Sequence, residues 1–82
     1  MSHHVPCPCC HSLTLWAFDF YDICPVCYWE DEPGCREDPD AMSQANGLSL
    51  ADARRNFIAY GACDERSRAR VRAPMVEEVP HV

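Results

Sequence analysis

The sequence contains no lysine. Its positive charge rests on seven arginines set against thirteen acidic residues in 82, a formal net charge of −6 with histidine neutral. Such a chain gains little from generic attraction to a phosphate backbone, so nucleic-acid binding is disfavoured. Also missing is any run of about 18 or more apolar residues, which argues against a membrane-spanning helix. The start, MSHHVPCPCC, has neither a basic n-region nor an apolar stretch ahead of a small-residue cleavage site. A soluble, cytoplasmic protein with no membrane role is therefore expected. A chain of this length has room for one domain and buries too little surface to be stable without help from disulfides, metal or a partner.

What the sequence has in excess is cysteine, seven residues in all. Four of them form two C-P-x-C turns, CPCC at 7–10 and CPVC at 24–27, separated by residues 11–23. An odd total and two tight pairs favour metal over disulfide bonding. A bridge within a Cys-x-x-Cys turn would be a redox site, not a staple. Each turn presents two thiolates, so each supplies half of a tetrahedral shell, and amide N–H groups within the turn can donate to the sulfurs. The proline after the first cysteine fixes φ near −65° and preorganises the turn. The predicted ligands are Cys7, Cys10, Cys24 and Cys27. Zinc is the expected ion, with iron not excluded, since spacing alone does not separate them. A closed four-thiolate shell leaves no position for water or substrate, so the site is expected to be structural and the protein not an enzyme. Cys9, beside Cys10, and His11 are the alternative ligands.

Charge divides the chain unevenly. Residues 1–52 carry nine acids and only Arg36; residues 53–82 carry four acids and the other six arginines. The two parts are expected to fold against each other. Residues 1–6 are predicted to be a disordered start in which His3 and His4 have no role, and 75–82 a loose tail. The single cysteine-rich metal-binding domain then spans 7–74. Between the cysteine pairs, LTLWAFDFYDI predicts one or two short strands. EDEPGCREDPDAMSQANG, residues 30–47, predicts a long acidic loop. In SLADARRNFIAYG, Ser49 is placed to cap a helix with Asp52 reciprocating. Leu50, Ala53, Phe57 and Tyr60 make one stripe at the helical period, and Gly61 suits a left-handed C-terminal cap, so the helix should end near Tyr60. The expected fold is a small, metal-stabilised α+β domain with short β-strands and one α-helix.

Other features have ordinary explanations beside functional ones. Cys63 reads as a small buried hydrophobe and Cys35 as an exposed loop thiol; a Cys35–Cys63 bridge has no support, and neither thiol has a neighbouring His or Lys to activate it. The acids from Tyr28 to Glu32, with Asp38 and Asp40, lack calcium-loop spacing and read as a solvated surface. Trp29 is expected to pack on the metal site, whereas Trp16 is either core or an anchor for a partner. Arg66, Arg68, Arg70 and Arg72 recur every second residue, which on a strand would put all four on one face as a contact surface for anions, unless they pair with the protein's own acids.

Taken together, CPCC, ICPVCYWED, ANGLSLADARRNF and YGACDER resemble the cysteine-rich CPCC family of small, mostly bacterial proteins. The resemblance implies a zinc-ribbon-like fold, no established activity, and a pattern that includes Asn46, Gly47, Asn56, Phe57, Gly61 and Cys63. Family members tend to have glycine where this chain has His11, a position that often needs φ > 0. The leading expectation is a structural-zinc module that docks onto another protein through Trp16, Glu30 and Asp31 or through Arg66, Arg68, Arg70 and Arg72, with a bacterial immunity role as one specialisation. The alternative is a nucleic-acid-binding zinc ribbon using those four arginines. A thiol oxidoreductase built on Cys9 and Cys10, or on Cys63, ranks third.

Overall fold

The computed structural model describes residues 4–80. His3 lies outside the described residues. Strand β1, Val5–Pro6, pairs antiparallel with β2, Leu13–Leu15, in a two-stranded sheet. Val5 and Pro6 thus belong to the folded unit, although the sequence places them in a disordered start. The first cysteine turn sends the chain back on itself, so Val5 lies opposite Leu15, itself fully buried. Strand structure in the following segment stops at Leu15, apart from an isolated bridge between Ile23 and Glu30.

Helix α1, Leu50–Tyr60, begins and ends where its caps predict. The Ser49 hydroxyl accepts the Asp52 amide (3.1 Å), and Gly61 adopts φ 84 and donates to the Phe57 carbonyl. The Asp52 carboxylate is engaged by Arg55 one turn on instead of closing a capping box. Leu50 and Ala53 are buried, and Phe57 packs partly against them. With Leu15, Val26, Trp29 and the sulfurs of Cys7, Cys9, Cys24, Cys27, Cys35 and Cys63, they form the core.

The acidic stretch is a pinned loop, not a loose one. Glu32 accepts from the Ser43 hydroxyl (2.9 Å) and the Ala45 amide (2.8 Å). Asn46 receives the Glu30 amide (2.9 Å) and donates to the Glu30 carbonyl (2.8 Å), a side chain imitating a strand partner. Asn46, one of the pattern residues, thereby gives the backbone groups at Glu30 their partners without a sheet.

The arginine-rich stretch is not a strand. Glu65–Ala69 is a 3-10 helix capped by Asp64, whose carboxylate accepts the Ser67 amide (2.9 Å). The alternation predicted a period of two, but a local cap and the Glu65–Arg68 pair (2.8 Å) at i,i+3 favour a helical turn. The expected loose tail is likewise anchored. Val76–Glu78 forms a 3-10 turn against β2, and Glu78 binds Arg72 through both carboxylate oxygens (2.7 and 2.9 Å).

Candidate metal centre

The two cysteine turns are built alike. In the first, the Cys7 amide donates to the Ser12 carbonyl (2.9 Å) and the His11 amide to the Cys7 carbonyl (2.8 Å). In the second, the Cys24 amide donates to the Trp29 carbonyl (2.9 Å) and the Tyr28 amide to the Cys24 carbonyl (2.7 Å). Each turn closes on a residue with left-handed backbone, His11 at φ 68 and Tyr28 at φ 72. The positive φ expected at His11 is therefore present and has a counterpart at Tyr28. The sequence obscures that counterpart because a bulky aromatic is an unusual occupant of this region.

The turns bring Cys7, Cys10, Cys24 and Cys27 together, with all four Sγ atoms within 4.8 Å of one another. Cys7 and Cys27 are 3.5 Å apart at sulfur, Cys10 and Cys24 3.7 Å. A tetrahedral ion bound at a zinc–sulfur distance near 2.3 Å requires sulfur–sulfur edges of about 3.8 Å. The cluster fits such an ion. The Val26 amide (3.4 Å) and the Thr14 hydroxyl (3.0 Å) both donate to Cys24 Sγ, supporting negative charge there.

Four sulfurs so close cannot all be thiolates without a cation. The Cys24 thiol is drawn far below its ordinary range by donation from Cys10, then Cys27 and Cys7. Cys7 and Cys27 are pushed far above it, each chiefly by Cys10 and then Cys24. A divalent ion at the centre would relieve that conflict by stabilising all four charges at once. These four cysteines could therefore hold a metal ion.

The remaining candidates fall outside this group. His11 is exposed, and Cys9 is buried in the core without joining the four. Cys35 is not the exposed loop thiol expected: it is buried, and burial pushes its thiol up. Glu32, Asp31 and Asp19 add to that upward push, and Ser43 opposes it. Cys63 is buried as expected, and its thiol is pushed up to about 12, first by burial and then by Asp64. Trp29 is fully buried, as expected of a residue following the second turn.

The predicted contact residues separate. Trp16 is exposed and touches only the ring of His4 among described aromatic pairs, centroids 4.3 Å apart. Asp31, by contrast, is 0 % exposed and has no surface to offer a partner. Its carboxylate accepts the Asp19 amide (2.8 Å), and burial raises its pKa. Glu30 is half-buried and lines a cleft of ≈ 250 Å³ with Tyr28, Arg66 and Arg70. Arg66 pairs with Asp64 (3.4 Å), Arg68 with Glu65 and Arg72 with Glu78, while Arg70 lies over the Tyr28 ring (5.8 Å). Thr14 escaped notice in the sequence, since nothing local marks a threonine ten residues away as a donor to Cys24. No helix among the described residues is long and apolar enough to cross a membrane.

A family model described as cysteine-rich CPCC matches residues 5–78. No curated protein matches the chain.

Proposed function

The chain belongs to the cysteine-rich CPCC family, and on that footing we propose that it is a zinc-ribbon-like module whose metal is structural zinc and which acts by binding another protein. The observation that carries the metal assignment is the gathering of four sulfurs from two like-built turns within 4.8 Å. A closed thiolate shell suits structural zinc and leaves the ion no open position, which supports a non-catalytic role. Action then falls to the surface. Its acidic front supports an immunity-type specialisation, in which the module covers the basic working face of a toxin. The arginines of the alternative nucleic-acid surface are engaged at home: Arg66, Arg68 and Arg72 have carboxylate partners and Arg70 an aromatic one. That favours the protein-binding reading.

Native mass spectrometry of protein purified from its own host without chelator tests both parts. The expected spectrum shows one zinc per chain and a co-purifying protein. Iron or no ion in a folded chain overturns the metal assignment, and a partner-free, RNA-bound species overturns the protein reading. Thiol titration of the loaded protein should show no fast-reacting cysteine; a single one with a depressed pKa would restore a catalytic role.

A further inference from the structure

The connection between the two cysteine turns holds four large apolar side chains in solvent: Trp16 (73 % exposed), Phe20 (73 %), Tyr21 (52 %) and Ile23 (48 %). Hydrophobic residues scattered singly over a surface need no explanation, but these four fall within eight consecutive positions. The segment is also closed on itself. The Trp16 amide donates to the Asp22 carboxylate (2.9 Å), so its two ends meet.

Its shape is imposed from beneath. Buried Asp31 accepts the Asp19 amide through its carboxylate (2.8 Å) and the Tyr21 amide through its carbonyl (3.0 Å). Those two residues flank Phe20, and both have left-handed backbone, Asp19 at φ 68 and Tyr21 at φ 61. A bulky tyrosine in that region is strained. A chain that only needed to connect two metal ligands across this gap could do so without strain and without lifting Phe20 into water. Backbone held in a strained form around an exposed aromatic is a preorganised contact, its ordering cost met before any partner arrives.

The loop's own segment of the chain has acid to spare. Arg36 is the only cation in residues 1–52. It is committed to Asp19 (3.1 Å) and lies over the Phe18 ring (3.9 Å). Asp22 within the loop, and Glu30 across the Ile23 bridge, have no ion-pair partner among the described residues, although Glu30 shares its cleft with Arg66 and Arg70. An aromatic surface bordered by carboxylates that lack ion-pair partners complements a cationic one, and arginine in particular stacks on aromatic rings while binding carboxylates.

We propose that the Trp16–Ile23 loop is the docking surface for an arginine- or lysine-bearing segment of a partner protein. Trp16, Phe20 and Tyr21 are the anchors, and Asp22 and Glu30 receive the partner's cations. This rests on the protein-binding reading above and adds to it the surface and the partner's chemistry.

The test uses the metal-loaded full chain as bait in extract of its host, followed by identification of the captured protein and measurement of affinity with purified components. Trp16→Ser and Phe20→Ser should each weaken binding by about 30-fold or more, the scale of an interface hot spot. Glu30→Gln should slow association and flatten its salt dependence. Ile58→Ser, at a helix position 85 % exposed, is the control expected to bind normally. Hydrogen exchange on the wild-type complex should protect residues 16–23 of this chain and a basic segment of the partner; it keeps the test decisive if a variant loses its metal. Full affinity in Phe20→Ser, with no protection at 16–23, overturns the proposed surface while the protein-binding reading stands. A salt-independent complex with an acidic partner segment overturns the charge assignment. Dimerisation of the chain abolished by Phe20→Ser assigns the surface to a second copy and overturns the proposal. Capture of nothing by the wild type overturns both proposal and reading.

Discussion

Stripping the metal should unfold the protein, and the composition of its core gives the scale. The buried cluster contains six cysteines, leaving Leu15, Val26, Trp29, Leu50 and Ala53 as its hydrocarbon. At about 1.5–3 kcal/mol for each large side chain, those residues contribute roughly 6–12 kcal/mol before chain entropy is set against them. Structural zinc contributes an apparent ~10–16 kcal/mol at neutral pH, as much as the whole net stability of an ordinary domain. Such an ion would be the larger stabiliser, and the chelated chain would have too little left to hold α1 against the two turns. Far-UV circular dichroism and tryptophan emission should report this together. Helical signal should fall as a strong chelator is titrated, and the fully buried Trp29 should shift to the red, while exposed Trp16 emits at long wavelength throughout. Cys24→Ser should reproduce the loss, because it removes one of the four sulfurs that could hold the ion. Cys35→Ser should retain metal, because Cys35 lies outside the four-sulfur group. A chelated chain that keeps a cooperative melt and a blue Trp29 emission would refute the argument.

Three further outcomes follow from the described geometry. Ser49→Ala and Gly61→Ala should each lower stability by about 1 kcal/mol in urea titration of the loaded protein, the first by losing the helix cap and the second by forcing a side chain into φ 84. His11→Gly should raise stability by about 1 kcal/mol or less by relieving φ 68, whereas Tyr28→Gly should lower it. The Tyr28 ring packs on the core and lies beneath Arg70, so more is lost there than relieved. Finally, Glu32 is held below its ordinary 4.5 by the Ala45 amide and then the Ser43 hydroxyl. A folded pKa below the unfolded one means its contribution is present above 4.5 and lost as pH falls through the folded value. The stability difference between wild type and Glu32→Gln should therefore shrink on acidification below that point, and a constant difference would contradict it.

What could be read from sequence was what depends on near neighbours. The gathering of Cys7, Cys10, Cys24 and Cys27 follows from the spacing within two short turns, and α1 from a serine, a glycine and a stripe of apolar residues between them. Two of the failures share one cause, a distant partner overriding a local pattern. Asp31 stands in the string YWEDE, which reads as solvated, yet the amides of Asp19 and Tyr21 hold it under the preceding loop. Cys35 looks exposed between Gly34 and Arg36 but is buried in the core cluster. The arginine alternation misled in the other direction, since period two suggested a strand where the cap at Asp64 and short-range ion pairs made a 3-10 turn.

A metal held by the four sulfurs and the aromatic loop would not be independent features. Residues 11–23 are bounded by Cys10 and Cys24, whose sulfurs lie 3.7 Å apart, so an ion joining them closes that stretch into a ring and fixes both of its ends. The strain at Asp19 and Tyr21 persists only because the surroundings over-determine it, and Asp31, which holds both amides, follows Cys27 by four residues. Loss of the ion frees the ends and the clamp together. Exposure of Trp16 and Phe20 would survive, but their fixed placement would not. Partner binding should therefore vanish on chelation in step with metal loss, and return when zinc is restored. A chelated chain that still bound its partner at full affinity would mean that contact needs the aromatic side chains alone and not the geometry the sulfurs impose.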